Sequence, residues 1–100
     1  MKVCAVFEPN GEGDYGVFFP ELPGCVSMGD SLAEARRMAL DAVTGHIALM
    51  LADGEHIPPV VAERPGRAPK GAVVEVLEVS DAEIRAEVPK MRRSLEKARL

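Results

Sequence analysis

The sequence predicts an α+β fold: an antiparallel three-stranded meander, a covering helix and a fourth strand, in the order β-β-β-α-β, with a short C-terminal helix. Three observations lead to this prediction. Short apolar runs near the N-terminus alternate as strands do and are separated by turn residues. Residues 31–52 carry apolar side chains at steps of three and four. A valine-rich run follows at residues 72–79.

The first three strands are predicted at residues 2–8, 14–19 and 25–28. In the first strand, Val3, Ala5 and Phe7 share one face, as alternation requires. The stretch from Pro9 to Gly13 contains turn residues and joins the first two strands as a hairpin. A sheet of this size needs a helix to cover its apolar face.

The connection between the second and third strands is the segment Phe19-Pro20-Glu21-Leu22-Pro23-Gly24-Cys25. Each proline fixes its own φ and holds the residue before it extended. The chain is therefore expected to cross from one strand to the next without a hairpin. Ser31 and Glu34 then form a capping box that starts the helix.

The helix over residues 31–52 has an apolar stripe that widens in its second half. Ala48, Leu49 and Leu51 add apolar side chains outside the stripe, which predicts burial against a second subunit as well as against the sheet. Val74 and Val76 of the fourth strand are expected to join this interface, so a homo-oligomer, dimer or tetramer, is predicted. Gly54 ends the helix, and Pro58-Pro59 prevents its resumption.

The last part of the chain divides into a connection at residues 60–71, the fourth strand at 72–79 and a helical tail. Ser80 and Glu83 repeat the capping-box pattern, and Pro89 is expected to interrupt or kink the helix that follows. We therefore divide the chain into an α+β domain at residues 1–80 and a C-terminal helical tail at residues 81–100.

Composition indicates a single folded domain of 100 residues with a net charge of −4. Residues 1–60 carry three basic and nine acidic side chains, whereas residues 61–100 carry nine basic and seven acidic ones. An acidic front repels nucleic-acid phosphates and suits a basic protein partner. Without a signal peptide or a long apolar run, the protein is expected to be cytoplasmic and away from membranes, with Cys4 and Cys25 reduced.

The sequence holds no spacing of residues that points to an enzyme, a cofactor or a metal site. Asp14, Asp30 and Asp41 are a conceivable carboxylate cluster for metal-assisted nuclease chemistry. Each also has a structural role available, at a strand start, at a helix start and on an exposed helix face. A nucleophile–base pair made by folding, such as Cys25 with His46, requires hydrogen-bond geometry that sequence does not give.

The C-terminal tail is basic, and Lys90, Arg92 and Arg93 are its candidate nucleic-acid contacts. The alternative is a solvated helix, or one packed on a sister subunit. Only 21 residues follow Val79, which is short for a ribbon-helix-helix or helix-turn-helix module. DNA binding is therefore not expected.

Three separated segments carry a family resemblance: FPELPGC at residues 19–25, GDSLAEA at 29–35 and DGEHIP at 53–58. In this order they resemble the N-terminal domain of HicB-type antitoxins, over about the first sixty residues and the strand at 72–79. The resemblance implies a truncated ribonuclease-H-like sheet and a role in binding and silencing an mRNA-cleaving partner, HicA. An orphan oligomeric scaffold and a minimal nuclease that uses Asp14 and Asp30 are the alternatives. For the antitoxin, the expected partner-binding residues lie on the crossing: Phe19, Glu21, Leu22 and Pro23.

Overall fold

The computed structural model describes residues 1–57 and 68–99. Within them the chain forms four strands and two helices, in the predicted order. Pro58, Pro59 and most of the connection predicted at residues 60–71 lie outside the described residues. The elements are β1 (Lys2–Pro9), β2 (Tyr15–Phe18), β3 (Val26–Gly29), α1 (Leu32–Ala52), β4 (Val73–Glu78) and α2 (Asp81–Ala98).

The four strands form one antiparallel sheet in the order β3-β2-β1-β4. The meander places β1 to β3 side by side, and the returning β4 pairs with the free side of β1. The central strand β1 is buried from Val3 to Phe7, because it has a neighbour on both sides. The register joins Val6 to Phe18 and Phe18 to Val26, so these three residues form a row across one face.

The main core lies between one face of the sheet and α1. Val3, Ala5 and Phe7 project into it from β1, as alternation predicts, and meet Ala39 and Ile47 of the helix. Residues of the opposite parity lie on the other face, which we call the outer face. The fold therefore has one sheet face covered by helices and one face directed away from them.

The start of α1 is fixed by its cap and by a close approach to the sheet. Ser31 accepts a hydrogen bond from the Glu34 amide at 3.1 Å, and the Glu34 carboxylate accepts one from the Asp30 amide at 3.2 Å, one residue before the partner of a standard capping box. A Cβ built on Gly29 would lie 2.3 Å from the Ala35 nitrogen. Only glycine fits this strand end against the first turn of the helix.

The C-terminal helix packs on α1 and belongs to the same unit as the sheet. Ile84 is buried in the main core, and Val88 and Met91 pack against it. A salt bridge joins Asp53, at the end of α1, to Arg99, at the end of α2, and Asp41 and Glu83, nearer the helix starts, line one groove. The two helices therefore run in the same direction. The division at residue 80 therefore marks where the sheet ends, and the helix beyond it shares the core.

Pro89 does not interrupt α2, which continues through it from Asp81 to Ala98. Proline removes one backbone donor, and the carbonyl left without that donor belongs to the exposed Arg85. Water can therefore satisfy the carbonyl. Packing of Val88 and Met91 on the core holds the helix on both sides of the proline. The expected short helix is in fact 18 residues long.

Candidate partner-binding surface

The crossing between β2 and β3 consists of two consecutive β-turns. The Leu22 amide donates to the Phe19 carbonyl at 3.0 Å, and the Cys25 amide donates to the Leu22 carbonyl at 3.1 Å. Pro20 and Pro23 occupy the second position of each turn, which their fixed φ favours. Gly24 supplies the positive φ of 88° that the second turn requires. The expected crossing without a hairpin is corrected here, because the turns return the chain to pair β3 with β2.

The crossing is anchored in the core by the residues that open and close its turns. Phe19 and Leu22 are each 2% exposed, and Cys25 is 4% exposed. Two of the four residues expected to contact a partner are therefore occupied in the protein's own core. Glu21, which is half-buried, and Pro23, which is exposed, remain at the surface. Sequence could not separate these roles, because an apolar residue between two prolines suits either a core or an interface.

The buried thiol of Cys25 is poorly suited to nucleophilic chemistry. Burial raises the pKa of Cys25 to about 11, so the thiol stays protonated at neutral pH. A thiolate is the form that attacks a substrate. Cys25 therefore acts as a small apolar core residue, and a Cys25–His46 catalytic pair gains no support.

The outer face of β2 and β3 exposes large apolar side chains that sequence reasoning did not single out as a site. Val26 is 67% exposed and Met28 is 64% exposed, and both alternate away from the helices. Phe18 lies beside Val26 in the next strand. The pattern apolar-polar-apolar-Gly at residues 26–29 was a signal for this surface, but a four-residue strand does not reveal which face the helix covers.

A groove of about 310 Å³ opens on this part of the sheet. In the outer-face register, Gly16 lies between Glu8 of β1 and Met28 of β3. Because Gly16 has no side chain, and a Cβ there would meet nothing within 4 Å, the space between its two neighbours stays open. The groove therefore combines apolar walls from Phe18 and Val26 with a carboxylate from Glu8.

The segment that forms this surface carries charges of one sign. Residues 3–35 contain no lysine, arginine or histidine. Nearby, the β1–β2 turn is held by a hydrogen bond from the Asn10 side chain to Asp14 at 3.2 Å. Residues 3–35, from β1 to the first turn of α1, therefore carry only negative side-chain charges, and their carboxylates are Glu8, Glu12, Asp14, Glu21, Asp30 and Glu34.

The five residues expected at an oligomer interface do not form one surface. Ala48 is fully buried inside the chain, whereas Leu49 and Leu51 are 38% and 42% exposed on α1. On β4, Glu75 forms a salt bridge with Arg36 of α1, so Val74 and Val76 alternate to the outer face. An interface that used Leu49 and one that used Val76 would lie on different sides of the molecule.

The candidate nucleic-acid residues lie along the exposed side of α2. Lys90 forms a salt bridge of 3.2 Å with Glu87, one turn earlier. Arg92 and Arg93 are exposed, and the apolar stripe that includes Met91 faces α1 instead. The three basic residues are thus available to solvent, while Lys90 already has an acidic neighbour.

The carboxylates considered for a nuclease lie on two different parts of the fold. Asp14 and Asp30 flank the paired residues Tyr15 and Gly29 at one end of the sheet, whereas Asp41 lines a groove between α1 and α2. In residues 1–57 and 68–99, no group of three or more His, Cys, Asp or Glu is placed to hold a metal ion. Within the same ranges, neither helix has the length and apolar character to cross a bilayer.

Two curated proteins are similar to this chain over part of its length. Antitoxin HicB 1 of Photorhabdus laumondii subsp. laumondii is 40% identical over 58 residues, which are 58% of this chain and 37% of that protein. An uncharacterized 14.9 kDa protein in the rep-hol intergenic region of Haemophilus phage HP1 is 48% identical over 44 residues, 44% of this chain and 33% of that one. The chain thus spans about a third of the length of the curated relatives that it matches.

Solved structures share the fold. The antitoxin HicB of Burkholderia pseudomallei superimposes with a TM-score of 0.69 at 23% identity, over 83% of this chain and 66% of that one. A chain of the HicA3 and HicB3 toxin-antitoxin complex gives a TM-score of 0.60 at 21% identity, over 80% of this chain and 99% of that one. The model of one family, described as the HicB-like antitoxin of bacterial toxin-antitoxin systems, matches residues 4–99. With this match over nearly the whole sequence, the chain belongs to the family of HicB-like antitoxins.

Proposed function

We propose that this chain binds a basic, mRNA-cleaving toxin of the HicA type and silences it by covering the surface that holds RNA. The observation that carries the proposal is membership of the HicB-like antitoxin family over residues 4–99. The likeness to a chain of the HicA3–HicB3 complex supports a toxin as the partner. The proposed role is one of binding rather than catalysis, and its place is the cytoplasm, where mRNA is found.

The charge of the first three strands fits such a partner. A protein that binds RNA presents basic groups to the phosphates. Residues 3–35 of this chain offer six carboxylates and no basic side chain to the same groups. Opposite charges speed the encounter of two proteins, and the effect weakens as salt rises. The antitoxin would therefore compete with RNA for one basic surface on the toxin.

Apolar contact would then hold the complex together. Interfaces draw most of their energy from a few buried side chains, and differences in affinity reside mainly in the dissociation rate. Pro23 on the crossing and the exposed Val26 beyond it can both be covered by a partner. The polar rim would set the association rate, and the apolar centre would set the lifetime.

An oligomeric scaffold without a toxin is the second candidate function. The observation that favours it is the exposure of three apolar side chains, Leu49, Leu51 and Val76, at 38%, 42% and 39%. A second copy of the chain could cover some of them. The two functions are separated by whether a toxin binds.

The proposal predicts that a reading frame next to this gene encodes a short basic protein, and the test uses that protein. Its production alone should arrest growth, and production of this chain beside it should restore growth. The purified pair should associate more slowly as sodium chloride rises, while the dissociation rate should change less. If this chain neither relieves the arrest nor binds the purified neighbour, the antitoxin proposal is wrong.

A further inference from the structure

The outer face of β2 and β3 is the most exposed apolar part of the described sheet. Val26 and Met28 are both close to two-thirds exposed. By contrast, Val3, Ala5 and Phe7 on the helix side of β1 are fully buried, and so are Cys4 and Val6 on its outer side. An apolar patch at a sheet edge, beside a groove, is costly to leave in water and typically marks an interaction site.

The groove in this face is large enough to receive a side chain from a partner. Gly16 leaves an opening between Glu8 and Met28, and Phe18 and Val26 provide an apolar wall. A lysine or arginine from a partner could lay its aliphatic part along Phe18 and place its charge at the Glu8 carboxylate. An apolar groove with the Glu8 carboxylate at its side thus suits a long basic side chain.

Charge distinguishes the two possible partners for the outer face, a second copy of this chain and a basic protein. A second copy of this chain would bring a second Glu8 and the other carboxylates of residues 3–35 toward the first, while Lys2, the basic residue of β1 that faces the same way as Glu8, lies at the far end of that strand. Like charges brought together oppose association, whereas a basic protein would neutralise them. The charge of the segment therefore favours a basic partner over self-association on this face.

We infer that the toxin docks on the outer face of β2 and β3, with Val26 and Met28 at the centre of the contact and Glu8 receiving a basic side chain in the Gly16 groove. This inference rests on the proposed function and makes it specific, because it moves the contact from the core-anchored crossing to the adjacent sheet face. Glu21 and Pro23 then lie at the rim of the interface, beyond the ends of both strands.

The test compares the same substitution at two exposed methionines. Met28→Arg places a positive charge in the inferred contact, and Met38→Arg, on α1, is the matched control with Met38 44% exposed. The full chain is titrated against the purified neighbouring toxin by isothermal calorimetry. Met28→Arg should raise the Kd at least about tenfold, as loss of a central contact does, and Met38→Arg should leave it unchanged.

A second variant tests whether a loss of binding comes from the lost contact or from a disturbed fold. Val26→Ser adds no charge and should also weaken binding, while thermal melts of all three variants should stay near that of the parent. If the parent binds and both outer-face variants bind as tightly as Met38→Arg, the docking face is elsewhere and the antitoxin function stands. If the parent chain does not bind the toxin, the proposed function itself is wrong. A loss of self-association with Met28→Arg in sedimentation, with toxin binding intact, would instead assign this face to a second copy.

Discussion

Leu22 should behave as a core residue rather than as a toxin contact, and Leu22→Ala tests this. Its side chain is 2% exposed and closes the end of the core between β2 and β3. Truncation of a buried leucine removes its transfer free energy and leaves a cavity, at a cost of about 2–5 kcal/mol. We take about 3 kcal/mol here, which for a domain of this size lowers Tm by roughly 12–24 °C.

The assay pairs thermal melts with binding kinetics, and Glu21→Lys is the matched variant from the same turn. Glu21 is half-buried, without a salt bridge among the described contacts, so its replacement should leave Tm nearly unchanged and slow association with a basic toxin. Leu22→Ala should do the reverse, with a lower Tm and a dissociation rate close to that of the parent while the chain is folded. An unchanged Tm combined with faster dissociation for Leu22→Ala would refute the assignment of this residue to the core.

Four further predictions follow from particular contacts. Gly29→Ala should destabilise the protein by at least about 2 kcal/mol in chemical denaturation, because the new Cβ would overlap the Ala35 backbone. Gly16→Ala is the control, because a Cβ there meets nothing within 4 Å, and it should change the stability by less than about 1 kcal/mol. Gly45→Ala should stabilise α1 by about 0.5–1 kcal/mol, since the new Cβ would lie at an ordinary 3.6 Å from Met91 Cε; a loss of stability in urea melts would contradict this. The hydrogen bond from Arg36 lowers the pKa of Glu75 in the folded protein. The contribution of this pair to the free energy of unfolding is therefore fully present above the unfolded pKa of glutamate, about 4.3. It is lost as the pH falls through the lower folded pKa. Tm of the parent should therefore exceed that of Glu75→Gln at pH 7 and converge with it near pH 3, and a gap that stays constant would count against the pair. Sedimentation velocity at micromolar concentration should show an oligomer, since Leu49, Leu51 and Val76 expose apolar surface; a species of 10.7 kDa alone would exclude it.

Most of the fold could be predicted from local patterns in the sequence. Alternation in β1 and the capping box at Ser31 each depend on a few neighbouring residues, and both are confirmed. For Pro89, local rules predicted an interruption or a kink, and the interruption is wrong. A proline is tolerated within α2 because the exposed Arg85 carbonyl can be hydrated and tertiary packing holds both halves of the helix.

The candidate surface was harder to predict, because exposure depends on which sheet face the helix covers. Phe19 and Leu22 belong to a short motif that could equally be an interface, and only the two turns that point them inward decide the matter. Val26 and Met28 lie in a strand of four residues, too short for alternation to identify its buried side. The acidic character, in contrast, is a property of residues 3–35 that sequence alone provides.

Inhibition of RNA cleavage is the most direct measure of the antitoxin role. The neighbouring basic protein should cleave a single-stranded RNA when purified alone, and added chain should reduce the rate in proportion to its concentration until the toxin is saturated. Raising the RNA concentration should relieve part of the inhibition, because the two ligands compete for one surface. Cleavage that continues unchanged with this chain in excess would contradict the proposed function.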